Sequence, residues 1–123
     1  VNWQPLSEQA IQDALAQNKR VFVDVTAYWC ITCKANKFNV LLRDDVQQAL
    51  SAPDVVALRG DWSRPSASIA DFLRQRGSVA IPFNQIYGPG LTDGEILSPL
   101  LDRSTLLATL AQAGIATSQG DTK

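Results

Sequence analysis

Val21-Phe22-Val23-Asp24-Val25-Thr26-Ala27-Tyr28-Trp29-Cys30-Ile31-Thr32-Cys33-Lys34 is the stretch on which the fold turns. Its first half, 21–27, is short, apolar and rich in β-branched residues, which predicts a central strand buried on both faces. Its second half opens a helix near Cys30 that runs to about residue 42. A cysteine where a strand hands over to a helix has its sulfur beside unpaired N–H groups and the positive end of the helix dipole. Both favour thiolate over thiol. The second cysteine lies one turn further on, within reach of the first. This spacing assigns Cys30 as nucleophile and Cys33 as resolving thiol of a dithiol–disulfide couple. The competing reading is half of a zinc site. Zinc takes four protein ligands, or three and a water, and the sequence has no second CxxC and no histidine.

Working outward, 6–18 reads as an amphipathic helix with Ser7 as N-cap and Ile11, Ala14 and Leu15 on one face. A short helical turn at 44–50 follows the motif helix. Residues 55–60 form the next strand, and Ser63 is the expected cap of the helix after it, with Pro65 in the first turn. Ile69, Phe72 and Leu73 mark that helix's buried face, and Gly77 ends it. Residues 83–87 read as a strand behind Pro82, Gly88-Pro89-Gly90 as a turn, and 95–97 as a weak strand pairing back. Asp102 caps a last helix that turns Leu106, Leu107, Leu110 and Ala113 inward and closes at Gly114. The order α, β, α, β, α, β, β, α is that of an α/β fold, a central mixed sheet flanked by helices, in which a final hairpin adds an antiparallel edge.

With 123 residues, the chain has the size of one domain. A net charge of −1 gives no reason to expect nucleic acid or an anionic membrane surface as partner. No apolar run approaches the roughly 18 residues of a membrane span, and no signal peptide opens the sequence. There are 2 cysteines and no methionine. A bridge across so short a loop removes little entropy from the unfolded chain, so the pair is read as chemistry rather than as a staple. No resident cofactor is expected.

Three further features surround the motif. Asp24 stands in an apolar strand and has to be hydrogen-bonded or kept neutral. Six residues before Cys30, it either ends beneath the motif and exchanges protons with Cys33 or is an ordinary carboxylate paired with a lysine or a cap. The Ile81–Pro82 bond precedes a strand, where trans is the commoner state and cis the more specific one. Of the aromatic pair Tyr28 and Trp29, Trp29 is expected to pack against the motif and shield it; Trp62 is a loop anchor for the core.

The segment 24–34 resembles the active site of thioredoxins. More closely, it is similar to the C-terminal periplasmic domain of DsbD-type disulfide reductases, with their Trp-Cys-x-x-Cys-Lys core. The stretches 58–65 (Leu-Arg-Gly-Asp-Trp-Ser-Arg-Pro) and 81–90 (Ile-Pro-Phe-Asn-Gln-Ile-Tyr-Gly-Pro-Gly) resemble the suppressor-of-copper-sensitivity (ScsB) branch of that family. The resemblance covers about Leu6 to Gly114 and implies a thioredoxin-like domain over 1–114; the remainder, 115–123, is small and polar and reads as a flexible tail. It implies a cis Ile81–Pro82 loop facing Cys30, with Trp29, Ile81 and Pro82 meeting the partner, and Asp24 as the family's buried acid. A membrane domain of the same parent protein would pass electrons to this domain, a soluble and monomeric unit when excised. The domain would reduce disulfide-bearing periplasmic proteins. Lys37 and Tyr28 stand where relatives keep acids; a lysine lowers a nearby thiol pKa where an acid raises it, so both are expected to tune the site. Ile81 replaces a common threonine. Two alternatives accompany this reading: the same enzyme class run as an oxidant, and a Cu(I)-binding or copper-tolerance module using the two thiolates.

Overall fold

The computed structural model describes residues 1–115. The elements are β1 (Gln4–Pro5), α1 (Glu8–Ala16), β2 (Arg20–Thr26), α2 (Ile31–Asn36), α3 (Asp44–Leu50), β3 (Val55–Asp61), α4 (Ala67–Gln75), β4 (Phe83–Gly88), β5 (Leu91–Ile96) and α5 (Arg103–Ala113). Beyond Asn36 the motif helix widens into a π-helical turn over Lys37–Leu41. The sheet runs β1-β3-β2-β4-β5. β1, β3 and β2 are parallel, and β4 and β5 are antiparallel to their neighbours. This is the α/β architecture expected, a mixed five-stranded sheet flanked by helices.

The alternation of β2 divides the core. Phe22 faces one side, where it meets Val40, Leu41, Val46, Leu50, Leu106 and Leu110 from the motif helix, α3 and α5. Val21, Val23 and Val25 face the other, against Ile11, Phe72 and Leu73 of α1 and α4. With both faces covered, β2 is a continuous apolar run, and Asp24 is its one charged member inside.

Local signals set most boundaries. The Ser7 hydroxyl accepts the Ala10 N–H at 2.9 Å to start α1, and Asn18 takes a left-handed φ of 59° beyond its end. Asp102 accepts the Thr105 N–H at 2.9 Å to start α5. Gly94 has φ 84°, and a Cβ there would lie 2.6 Å from Tyr87 Cε2, so the hairpin passes over that ring only as glycine.

Three expectations change. The helix after β3 starts at Ser66, whose hydroxyl accepts the Ile69 N–H at 3.3 Å, and not at Ser63. Pro65 therefore lies before the helix. Ser63 is taken elsewhere: its hydroxyl bonds the Asp61 carboxylate and accepts the Tyr28 N–H at 2.9 Å. β5 begins four residues earlier than the weak signal at 95–97 suggested, because β4 supplies its ladder. The lead also contributes β1, pairing Gln4 with Leu58 and Pro5 with Arg59. The flexible tail expected over 115–123 lies, beyond Ile115, outside the described residues.

Candidate active site

Cys30 is the N-cap of α2, with extended backbone (φ −92°, ψ 109°) before the chain turns helical at Ile31. Its sulfur is bonded to Cys33 across a Cα separation of 5.2 Å and accepts the Cys33 N–H at 3.1 Å. That N–H is one of the orphan donors of the first helical turn, so the helix itself solvates the sulfur that attacks. Both cysteines are buried, at 7 % and 6 % exposure. The covering comes from Ala27 and Ile81. Trp29 does less than expected, since 54 % of it is exposed and it stands at the rim; Tyr28 is more exposed still. The Ile81–Pro82 bond is cis.

The motif separates two concavities. On one side an apolar groove of about 610 Å³ runs between Trp29, Trp62, Pro65, Val79 and Ile81, with Arg64 at its edge. Trp62 is thus a groove wall as well as a core anchor; its backbone N–H donates to Thr26 O at 2.7 Å. On the other side a polar cavity of about 350 Å³ is lined by Asp24, Tyr28, Cys33, Lys34, Lys37, Arg59 and Asp61. Asp24 and Lys37, far apart in sequence, meet there around the resolving cysteine.

Asp24 is 4 % exposed and fully partnered. Arg59 donates to its Oδ2 through Nε at 2.9 Å, and Nη2 lies 2.8 Å from the same oxygen in an ion pair. Asn84 donates to Oδ1 at 2.8 Å with the same Nδ2 that reaches Val23 O at 3.2 Å. Register explains the meeting: Arg59, Asp24 and Asn84 are cross-strand partners on β3, β2 and β4, so all three project from one face at one level. The cation is an arginine where the sequence suggested a lysine, and the carboxylate also lines the cavity of Cys33; each of the two readings of Asp24 captures part of its surroundings. Asn84 Oδ1 is buried without a partner among the described residues.

Sequence reasoning missed Arg59 and Asn84 as members of the site. The signal available was a second charge inside a second apolar strand, which only strand register connects to Asp24. Among the described residues no group of three or more His, Cys, Asp or Glu side chains is placed to hold a metal ion, and no helix is long and apolar enough to cross a membrane.

Comparison with solved structures gives the same architecture. A thioredoxin from Thermus thermophilus superposes with a TM-score of 0.70 at 20% identity, covering 100% of this chain and 93% of that one. The reduced C-terminal domain of Neisseria meningitidis DsbD gives 0.65 at 20% identity, over 89% of this chain and 99% of that one. Its oxidised form gives 0.66 at 21% identity, over 86% and 91%. No curated protein matches the sequence significantly. The thioredoxin-like family model matches residues 2–89, the span that holds the strand, the disulfide motif and the cis-proline loop. With most of its length under that match, the chain belongs to the thioredoxin-like family.

Proposed function

We propose that this chain is a thiol–disulfide oxidoreductase that reduces disulfide-bearing periplasmic proteins, as the soluble terminal domain of a DsbD-type membrane protein. The observation that carries the reading is the Cys30–Cys33 disulfide at the start of α2, with the Cys30 sulfur on the Cys33 N–H. In the reduced protein, the Cys30 thiolate attacks one sulfur of the partner's disulfide and expels the other as thiolate. The Cys33 thiol loses its proton and attacks Cys30 Sγ; the mixed disulfide breaks and the partner leaves fully reduced. Two electrons pass to the partner, and the domain is left with the Cys30–Cys33 bond. The membrane domain of the parent then restores the dithiol.

The remaining residues take roles around this step. Trp29 and Ile81 line the apolar groove beside Cys30 and, with the cis Pro82, meet the partner's backbone. Asp24 receives the Cys33 proton within the polar cavity, and Lys37 and Tyr28 adjust the charge there.

Insulin reduction tests the mechanism. Cys30→Ser is expected to abolish it, and Cys33→Ser to retain a mixed disulfide with insulin visible on a non-reducing gel. Turnover by Cys30→Ser would overturn the assignment. Equilibration with glutathione tests direction: couples of this kind range from roughly −270 to −120 mV, and a donor belongs near the reducing end. A value near the oxidising end would replace donor by oxidant.

A further inference from the structure

Trp3 lies far from the motif in sequence, yet it reaches the site through one side chain. Its ring lies 3.8 Å from the Arg59 guanidinium carbon and 6.0 Å from the Phe22 ring, tilted by 54°. The same guanidinium makes its hydrogen bond and ion pair with Asp24 Oδ2. The lead is fixed to that strand by the backbone as well. Pro5 is the register partner of Arg59 on β1, and the Leu6 N–H donates to Arg59 O at 3.1 Å. Arg59 is thus clamped between an aromatic face and a carboxylate, and the carboxylate shares its cavity with Cys33.

We propose that Trp3 is a positioning residue for thiol exchange: it pins Arg59 on Asp24 and thereby sets the pH dependence of the Cys33 step. A guanidinium stacked on a ring loses little by staying there and is less free to swing into solvent. Arg59 is 31 % exposed on its side chain even with the ring in place, so without the ring it has solvent to go to. The Asp24 charge is then less compensated, and a less compensated anion opposes ionisation of the thiol beside it. Other groups face the same cavity: Lys34 and Lys37 from the motif helix, Asp61 from β3 and Tyr28 from the loop before Cys30; uncharged Asn84 from β4 binds the other oxygen of the carboxylate. The Trp3 ring lies against Arg59 and Phe22, and of these two Arg59 carries the charge that reaches the carboxylate.

The proposal rests on the dithiol reading, and its test separates the two. Insulin reduction is measured from about pH 5 to 9, and thiolate absorbance at 240 nm is titrated in Cys30→Ser, where Cys33 is the remaining thiol. Trp3→Leu, which keeps apolar packing on Phe22 but has no π face, is expected to move both midpoints to higher pH and slow exchange about threefold at neutral pH. Trp3→Phe restores the wild-type profile. In an Asp24→Asn background, Trp3→Leu makes no further change. If wild type fails to reduce insulin, the dithiol reading falls. If wild type reduces insulin and the Trp3→Leu profile superimposes on it, or if the shift persists with Asp24→Asn, the positioning role is wrong. Thermal unfolding of each variant accompanies the profiles, because lost stability alone leaves the midpoints in place.

Discussion

Arg59 and Arg76 are held by the same device on opposite faces of the sheet, with opposite surroundings. Each guanidinium lies over an aromatic ring, Arg59 at 3.8 Å from Trp3 and Arg76 at 3.5 Å from Phe72. Each also binds a carboxylate. Arg76 takes Glu8 with both terminal nitrogens at 2.7 and 2.8 Å, and adds Gln85 Oε1, Tyr87 Oη and Phe72 O. Arg59 binds one oxygen of Asp24, whose other oxygen goes to Asn84. Glu8 is 48 % exposed on its side chain, whereas Asp24 is 6 % exposed and lines a cavity with Cys33. A saturated arginine over an exposed carboxylate ties α1, α4 and β4 together. An arginine over a buried carboxylate that shares a cavity with Cys33 holds a charge on the wall of that cavity.

The largest effect expected from breaking this comparison is at Arg59. Arg59→Leu strands a buried carboxylate with the Asn84 amide as its remaining partner, at a cost of about 3 kcal/mol. Urea unfolding near neutral pH measures it. Adding Asp24→Asn removes the stranded charge, so the double variant recovers much of that loss. A double variant as unstable as Arg59→Leu alone would mean that the arginine stabilises by packing on Trp3, not by pairing.

What was legible in the sequence follows the same division between local and non-local causes. The strand of Val21, Val23 and Val25, the caps at Ser7 and Asp102, and the stop at Gly77 are decided within a few residues of themselves. Cys30 and Cys33 are too, because one helical turn brings them together. β1 was not legible: two exposed residues, one a proline, carry no periodicity, and β3 alone makes them a strand. Ser63, with Pro65 two residues on, suits a cap as sequence; Asp61 and the Tyr28 N–H, reached only in the fold, claim Ser63 and leave the helix to Ser66, which follows that proline. The row Arg59–Asp24–Asn84 needs the register of three strands, and Trp3 needs that of a fourth. Asp24 was visible as an anomaly, but its partners were not.

Arg76 supplies the middle test. Arg76→Leu removes the shared partner of Glu8, Gln85 and Tyr87, and about 2 kcal/mol of stability is expected to go with those hydrogen bonds. Its insulin-reduction pH profile should superimpose on that of wild type, since Arg76 packs on the face of β4 turned away from Cys33. A shifted profile would show that the two arginines are coupled through β4, and the contrast between them would fail.

The smallest effect is at Glu8, and it has a definite pH signature. The hydrogen bond from Arg76 holds the Glu8 carboxyl below its ordinary 4.5, against the opposing pull of burial and with help from the Arg76 charge. A carboxyl depressed in the folded state binds protons more readily when unfolded, so it stabilises the fold at a pH above the unfolded value and loses that contribution as pH falls. The Glu8–Arg76 pair therefore contributes in full near neutral pH and fades below 4.5. Half-exposed, it is worth less than about 1 kcal/mol. Asp54, held down first by its hydrogen bond from Arg20, titrates in the same direction, so the informative quantity is the difference between Glu8→Gln and wild type. That difference should be measurable at about pH 7 and close towards about pH 3. A gap that stays constant with pH would assign the Glu8 contribution to packing of its methylenes and not to its charge.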